Sequence, residues 1–231
     1  MATLLRLATA GSVDDGKSTL VGRLLYDSKS VLADQMDAVE RVSRDRGLGT
    51  ADLALLTDGL RSEREQGITI DVAYRYFATT KRSFILADCP GHVRFTRNTV
   101  TGASTADCVV LLVDVRHGLQ EQTQRHLAVA SLLRVPHVVV VVNKIDLVDF
   151  DEVAYERVSS AVLESARSLG LYDIATIPVS ALAGDNVVER SSRTPWYDGQ
   201  SLLEHLEKLS PVGEPHSEPL RFPVQLVIRP Q

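Results

Sequence analysis

Apolar residues in this chain form short continuous runs, and these are separated by longer stretches in which apolar positions recur with helical spacing. Val138–Val142, five consecutive valines, are the most uniform of these runs. A β-branched run of this length is too short to cross a membrane, and it predicts a strand that is buried on both faces. Runs of this kind predict six strands, at Leu4–Thr9, Asp71–Ala78, Ser83–Ala87, Cys108–Asp114, His137–Val142 and Ile174–Val179. Helical spacing predicts helices at Ser18–Tyr26, Val93–Gly102, Gln120–Leu133, Glu152–Leu169 and Ser201–Leu209.

The order of these elements predicts the fold class. Strands that alternate with helices predict an α/β fold, here a mostly parallel six-stranded sheet with helices on both faces. Sheets of this kind bind ligands in the loops at the carboxyl ends of their strands. We therefore expect residues 1–210 to form one ligand-binding domain whose chemistry lies in those loops.

The last segment of the chain departs from the alternation. Residues 211–219 contain three prolines and a glycine, a composition typical of a linker. Residues 220–228 then predict a strand, and a single strand does not fold by itself. We expect residues 211–231 to be a linker and the first strand of a further, β-barrel domain.

Composition excludes several classes of function. The formal net charge is −5, and without a run of basic residues the chain has no electrostatic footprint for nucleic acid. Its apolar stretches are too short for a membrane span. The first ten residues lack a basic leader and a cleavage site, so they predict a strand rather than a secretion signal. Two cysteines fit a reducing compartment, and we expect a cytoplasmic protein with neither membrane nor nucleic-acid partners.

The segment after the first predicted strand has the spacing G-x-x-x-x-G-K-[ST] of a phosphate-binding P-loop. Glycines suit such a loop because its amides must turn inward around phosphate oxygens. Strand, loop and helix follow in the required order, which favours nucleotide binding over a simple helix-capping turn. Lys17 is expected to contact the β- and γ-phosphates, and the Ser18 hydroxyl to bind Mg²⁺. The predicted phosphate-binding residues are Gly11, Ser12, Val13, Asp14, Asp15, Gly16, Lys17, Ser18 and Thr19.

A second motif, Asn143-Lys144-Ile145-Asp146, follows the valine run and resembles the guanine-specificity motif of GTPases. Guanine presents an N1–H and an amino group on one edge, and the Asp146 carboxylate can accept both. Adenine lacks this pair of donors, so ATP would leave the carboxylate unpaired. Lys144 is expected to lie along the base, and Asn143 to connect the loops.

A third motif, Asp88-Cys89-Pro90-Gly91-His92, follows another predicted strand and resembles the D-x-x-G element of GTPases. Asp88 is expected to hold Mg²⁺, and the Gly91 amide to contact the γ-phosphate. The D-x-P-G-H spelling resembles the translation-factor class, in which the histidine orients the attacking water. The resemblance therefore implies a catalytic role for His92, and no role is assigned to the other five histidines.

Residues 27–70 form a long polar insert before the second strand, in which Asp34–Arg44 has the spacing of an amphipathic helix. Gly67-Ile68-Thr69-Ile70 at its end resembles switch I, and we interpret the insert as that mobile element. Thr69 is expected to contact Mg²⁺ and the γ-phosphate, contacts that are lost on hydrolysis. The candidate catalytic residues are thus Lys17, Thr69 and His92, and the candidate metal ligands are Ser18, Thr69 and Asp88.

A weaker signal lies after the last predicted strand. Ser180, Ala181 and Leu182 resemble the S-A-x loop that contacts guanine through its backbone. Together, the motifs imply GTP or GDP with Mg²⁺ as ligands.

Longer stretches resemble one family, the GTPase subunits of bacterial sulfate adenylyltransferases. The stretches that carry the resemblance are Leu55–Phe77, the P-loop, Thr96–Asn98 with Thr101–Ser104, and Thr194–Gly199. In the P-loop, Asp15 stands where translation factors usually carry histidine. The resemblance implies a subunit whose GTP hydrolysis drives ATP and sulfate to adenylyl sulfate and pyrophosphate. It also implies a heterodimer with a small catalytic subunit, and in some members a C-terminal adenylylsulfate kinase domain. Cys89 and Val93-Arg94-Phe95 depart mildly from the family pattern.

Two alternative functions remain compatible with the motifs. The first is a translation-factor GTPase that acts on the ribosome. The second is a nucleotide-gated binding module with negligible turnover, for which His92 would not affect any rate. Stimulation by the small subunit with ATP and sulfate, or by ribosomes, distinguishes the first alternative from the sulfate-activating subunit.

Overall fold

The computed structural model describes residues 3–31, 33–45, 47, 51–56, 69 and 71–210. Within these ranges the chain forms a six-stranded sheet, and its strands are β1 (Thr3–Ala10), β2 (Ala73–Ala78), β3 (Arg82–Asp88), β4 (Cys108–Asp114), β5 (His137–Asn143) and β6 (Ile174–Val179). Its helices are α1 (Lys17–Asp27), α2 (Ala33–Asp45), α3 (Thr96–Ala103), α4 (Glu121–Leu132), α5 (Glu152–Ser168) and α6 (Leu202–Lys208). Short 3-10 segments occur at Leu53–Leu56, Val93–Phe95 and Ile145–Val148.

The strand order is β2-β3-β1-β4-β5-β6, which places the first strand of the chain in the interior of the sheet. Strands β3, β1, β4, β5 and β6 are parallel, and β2 pairs antiparallel with β3 at one edge. The predicted α/β class is therefore confirmed. Because five strands share one direction, the loops that follow them lie at the same edge of the sheet.

Two cores cover the two faces of the sheet, because successive side chains of a strand point to opposite sides. In β4, Val110 and Leu112 belong to one core, and Val109 and Leu111 to the other. Helices α1 and α6 pack on the first core, and α3, α4 and α5 on the second. All seven residues of β4 are buried, which explains why its sequence is apolar until the final aspartate.

Most predicted elements begin and end within two residues of the observed ones. The predicted helix Val93–Gly102 is the main exception, because a 3-10 segment at Val93–Phe95 precedes α3. His92 caps this 3-10 segment, since its Nδ1 accepts a hydrogen bond from the Arg94 amide at 3.2 Å. No helix within the described ranges has both the length and the apolar character needed to cross a membrane.

The polar insert is described only in part. The amphipathic helix predicted within it is present as α2. Leu53 anchors the following 3-10 segment against α1, where a Cβ atom on Gly22 would lie 2.1 Å from the Leu53 carbonyl oxygen. The predicted mobility of the insert stays a prediction, because residues 57–68 and several shorter parts of it lie outside the described ranges. The predicted linker and strand at 211–231 lie outside them entirely.

Candidate functional site

The motifs predicted from the sequence meet at the carboxyl edge of the parallel strands. The P-loop follows β1, the Asp88–His92 motif follows β3, the Asn143–Asp146 motif follows β5, and Ser180–Leu182 follow β6. The sheet thereby brings together residues that are far apart in the sequence.

A side chain at either of the two P-loop glycines would clash with neighbouring atoms. Gly11 and Gly16 have φ angles of 147° and 90°. A Cβ atom on Gly16 would lie 2.4 Å from Nδ2 of Asn143, so this glycine is needed for contact between the phosphate loop and the base loop. Helix α1 begins immediately after Gly16, and its free amides form a ready anion site.

Lys17 is folded against the loop that it follows. Its Nζ donates to the carbonyl oxygens of Gly11 and Ser12 at 3.0 and 2.6 Å. Burial lowers the pKa of Lys17, while the nearby carboxylates of Asp15 and Asp88 oppose that shift. A buried ammonium at the start of a helix is suited to an anionic ligand.

The β3 loop lies directly over the P-loop. A Cβ atom on Gly91 would lie 2.3 Å from Lys17 Nζ and 2.7 Å from the Gly11 carbonyl oxygen. Asp88 is buried, and one of its carboxylate oxygens accepts a hydrogen bond from Thr9 Oγ1 at 2.9 Å. The structure therefore brings Lys17, Asp88 and Gly91 together.

The remaining predicted phosphate and metal residues are less constrained. Ser18 and Thr19 lie half-buried in the first turn of α1, and Val13 is exposed at the loop tip. Thr69 is half-buried, but its sequence neighbours lie outside the described ranges. Its place beside a metal therefore stays a prediction.

His92 is half-buried and directly follows Gly91, which lies against the P-loop. Because Nδ1 accepts from the Arg94 amide, a neutral ring carries its proton on Nε2. The Phe95 ring lies 6.0 Å away, centroid to centroid. In this arrangement the side chain can donate a hydrogen bond to a water molecule.

Asn143 joins the base loop to the phosphate loop. Its Nδ2 donates to the Asp15 carbonyl at 2.8 Å, and its Oδ1 accepts from the Ala181 amide at 3.0 Å. Ser180 is fully buried, whereas Leu182 is 65% exposed and faces the solvent side of this loop. The motif after β6 is thus held in register with the one after β5.

We expect Asn143→Ala to destabilise the protein by about 2–4 kcal/mol, since it leaves two buried backbone groups without partners. Urea unfolding of the ligand-free protein measures this change. Asn186→Ala is a matched control for a buried asparagine outside the site, since its Nδ2 donates to the Pro178 carbonyl. We expect both variants to lose a similar amount of stability, and only Asn143→Ala to lose nucleotide affinity. An unfolding midpoint unchanged by Asn143→Ala would contradict the expected contribution of these two hydrogen bonds to stability.

Lys144 makes a second connection between the two loops. Its Nζ donates to the Asp14 carbonyl and lies 3.0 Å from Oδ2 of Asp114. Its stem is therefore held beside the P-loop. Asp146, two residues later, lies half-buried in the 3-10 segment Ile145–Val148.

Asp114, the last residue of β4, is a site residue that sequence reasoning missed. Arg116 binds its carboxylate through two nitrogens, at 3.0 and 2.7 Å. Burial alone would raise the pKa of Asp114, but the hydrogen bonds from Arg116 and Lys144 hold it below its ordinary value. Asp114 therefore stays ionised and fixes the position of Lys144.

His126 on α4 was also missed. It is 2% exposed, and burial, together with the charge of Lys17, lowers its pKa to about 4. Gln122 Oε1 accepts from Arg125, which leaves Gln122 Nε2 to donate to His126 Nε2. A neutral ring therefore packs close to Lys17.

The chain offers features that fit a bound phosphate ligand. The absence of a side chain at Gly91 leaves open the space beside Lys17 Nζ. Within the described part of the chain, Ser12 Oγ is buried and has no hydrogen-bond partner. An orphaned hydroxyl beside a buried ammonium and a helix N-terminus is consistent with a site for an anion.

Comparison with known proteins gives a family. A model described as the elongation factor Tu GTP binding domain matches residues 2–212. The bifunctional enzyme CysN/CysC of Mycobacterium tuberculosis (strain ATCC 25618 / H37Rv) is 61% identical over 230 residues, which are 100% of this chain and 38% of the relative. Sulfate adenylyltransferase subunit 1 of Cellvibrio japonicus is 55% identical over 229 residues, 98% of this chain and 48% of the relative. The chain thus spans less than half the length of these relatives.

Solved structures give the same fold. The Ski7 GTPase-like domain of S. cerevisiae, bound to GTP, has a TM-score of 0.77 and 23% identity over 89% of this chain and 49% of its own. Sup35 complexed with GMPPNP has a TM-score of 0.64 and 29% identity over 91% of this chain and 46% of its own.

Proposed function

Because this chain belongs to the family of the elongation factor Tu GTP binding domain, we propose that it binds GTP and GDP and hydrolyses GTP. The observation that carries the proposal is the direct connection between the P-loop and the Asn143–Asp146 motif. Asn143 and Lys144 bond to the carbonyls of Asp15 and Asp14, so phosphate-binding and base-reading residues form one unit.

The proposal gives each site residue a role. Lys17 and the amides at the start of α1 would bind the phosphates, and Asp146 would read the guanine edge. The side-chain oxygens of Ser18, Thr69 and Asp88 would hold Mg²⁺, which neutralises phosphate charge when bound. The Gly91 amide would contact the γ-phosphate, and His92 would orient the attacking water through Nε2–H.

We further propose that the chain is the GTPase part of a sulfate adenylyltransferase. The similarity to sulfate adenylyltransferase subunit 1 and to CysN/CysC supports this role. GTP hydrolysis would then drive formation of adenylyl sulfate and pyrophosphate from ATP and sulfate by a small catalytic subunit. The similarity to a bifunctional relative supports the further proposal of an adenylylsulfate kinase domain in the same polypeptide.

The decisive experiment compares stimulation of GTP hydrolysis by two kinds of partner. The rate is measured on the intact protein with the small subunit, ATP and sulfate, and separately with ribosomes. Stimulation by the first set supports the sulfate-activating role. Stimulation by ribosomes alone would assign the protein to translation.

Lys17→Ala is expected to weaken GDP binding by roughly 10–100-fold, because a charge-assisted contact to the phosphates is removed. Calorimetric titration with GDP measures the loss. Lys208→Ala, an exposed lysine on α6, is the matched control and should bind GDP normally. Equal affinity in the Lys17 variant and the control would remove Lys17 from the phosphate site.

A further inference from the structure

The first half of the P-loop is held by two side chains of opposite charge. Lys17 Nζ binds the carbonyl oxygens of Gly11 and Ser12. The Asp15 carboxylate accepts a hydrogen bond from the Ser12 amide at 2.7 Å. The peptide groups on both sides of Ser12 are therefore fixed by side chains of the loop itself.

Asp15 faces the interior of the protein. Its side chain is buried, with the residue 4% exposed, and it lies within electrostatic reach of Lys17 and Asp114. Burial raises the pKa of Asp15, while the Ser12 amide and the charge of Lys17 oppose that shift. A carboxylate in direct contact with phosphate would repel it. A carboxylate that binds the loop amide from the protein side can support the loop without contacting the phosphate.

The two supports of the loop differ in what happens when a ligand binds. Under the proposed function, on which this inference rests, the three N–H donors of the Lys17 ammonium would be shared between phosphate oxygens and the Gly11 and Ser12 carbonyls. The Asp15–Ser12 contact does not involve Lys17, so it would not be shared with the ligand.

We propose that Asp15 is a positioning residue whose carboxylate holds Ser12 in the phosphate-binding shape of the P-loop and thereby sets the affinity for phosphate-bearing nucleotides. The effect depends on a hydrogen-bond acceptor at this position and not on the negative charge. Asparagine keeps an acceptor oxygen of similar reach, and alanine removes it.

The test uses Asp15→Ala, Asp15→Asn and the control Asp198→Ala, which removes an exposed carboxylate far along the chain. Affinity for GDP and for guanosine is measured by calorimetry or competition on the intact protein. Asp15→Ala is expected to weaken GDP by about 10–100-fold and guanosine by less than about twofold. Asp15→Asn is expected to stay within about threefold of the unmutated protein for both ligands.

A second measurement needs no nucleotide. Hydrogen exchange of the Ser12 amide, followed in the ligand-free protein, should be at least about tenfold faster in Asp15→Ala than in Asp15→Asn or the control. This readout reports the Asp15–Ser12 contact directly.

The outcomes separate the two proposals. Any of three results would overturn the positioning role. The first is an equal loss of affinity for GDP and for guanosine, and the second is an equal loss in the alanine and asparagine variants. The third is an exchange rate of the Ser12 amide that Asp15→Ala leaves unchanged. If the unmutated protein binds no guanine nucleotide, the proposed function is wrong. The link from Asp15 to nucleotide affinity is then wrong as well. Amide exchange would still show whether Asp15 holds the loop.

Discussion

His92→Ala is expected to lower kcat for GTP hydrolysis by about 10²–10⁴-fold, the usual contribution of one positioned side chain to proton transfer or water orientation. Affinity for GTP should change little, because the His92 ring contacts the Arg94 amide and Phe95 and none of the P-loop groups that bind it. The loss should appear chiefly in the partner-stimulated rate, where we expect the loop after β3 to be ordered.

Single-turnover hydrolysis with and without the partner separates binding from chemistry. His92→Gln provides the conservative comparison, since a glutamine amide can also donate to water, and it should retain more activity than alanine. A stimulated rate that is the same in the unmutated protein and His92→Ala would assign water positioning to another residue.

Asp146→Asn is expected to change the preferred base from guanine to xanthine. The carboxylate of Asp146 accepts two donors from guanine, and an asparagine amide can instead donate to the carbonyl that replaces the guanine amine in xanthine. Two hydrogen bonds to a charged group correspond to a change in the GTP-to-XTP affinity ratio of roughly 10²–10⁴-fold.

Competition titrations with GTP, ATP and xanthosine triphosphate measure this ratio. Asp149→Asn is the matched control, because Asp149 is an exposed aspartate three residues further on with a left-handed backbone that asparagine also tolerates. The unmutated protein should reject ATP. Equal competition by ATP and GTP would disprove the reading of guanine by Asp146.

Buried strands were predictable from the sequence because their physical cause is local. The predicted bounds of β4 and β6 coincide with the observed ones. In β4, burial on both faces demands apolar residues at every position, and the run stops where Asp114 meets the site edge. The P-loop glycines were equally predictable, since their positive φ angles belong to the motif itself.

The missed residues reach the site only through tertiary packing. Asp114 lies beside Asn143 in the sheet register, and the only local signal is an acidic residue at the carboxyl end of an apolar strand. Gln122 and His126 occur four residues apart on α4, a spacing that looks like any polar pair on a helix. Their burial, and the approach of His126 to Lys17, depend on how α4 packs on the sheet. The 3-10 segment Val93–Phe95 is likewise capped by a side-chain contact, from His92, which periodicity cannot report.

The interior position of β1 has a consequence for biosynthesis. Hydrogen bonds tie β1 to the segments on its two sides. Thr9 donates to Asp88, 79 residues away at the end of β3, and Arg6 donates to Asp107, 101 residues away just before β4. At a synthesis rate of about 5–20 residues per second, the ribosome needs roughly 5–20 seconds to deliver both neighbouring strands. Leu5 and Leu7, fully buried in the finished sheet, have no strand partner until β3 is made, and the second edge of β1 stays open until β4 follows. Folding is therefore expected to be slow and late, with β1 a natural binding segment for a chaperone until β4 emerges.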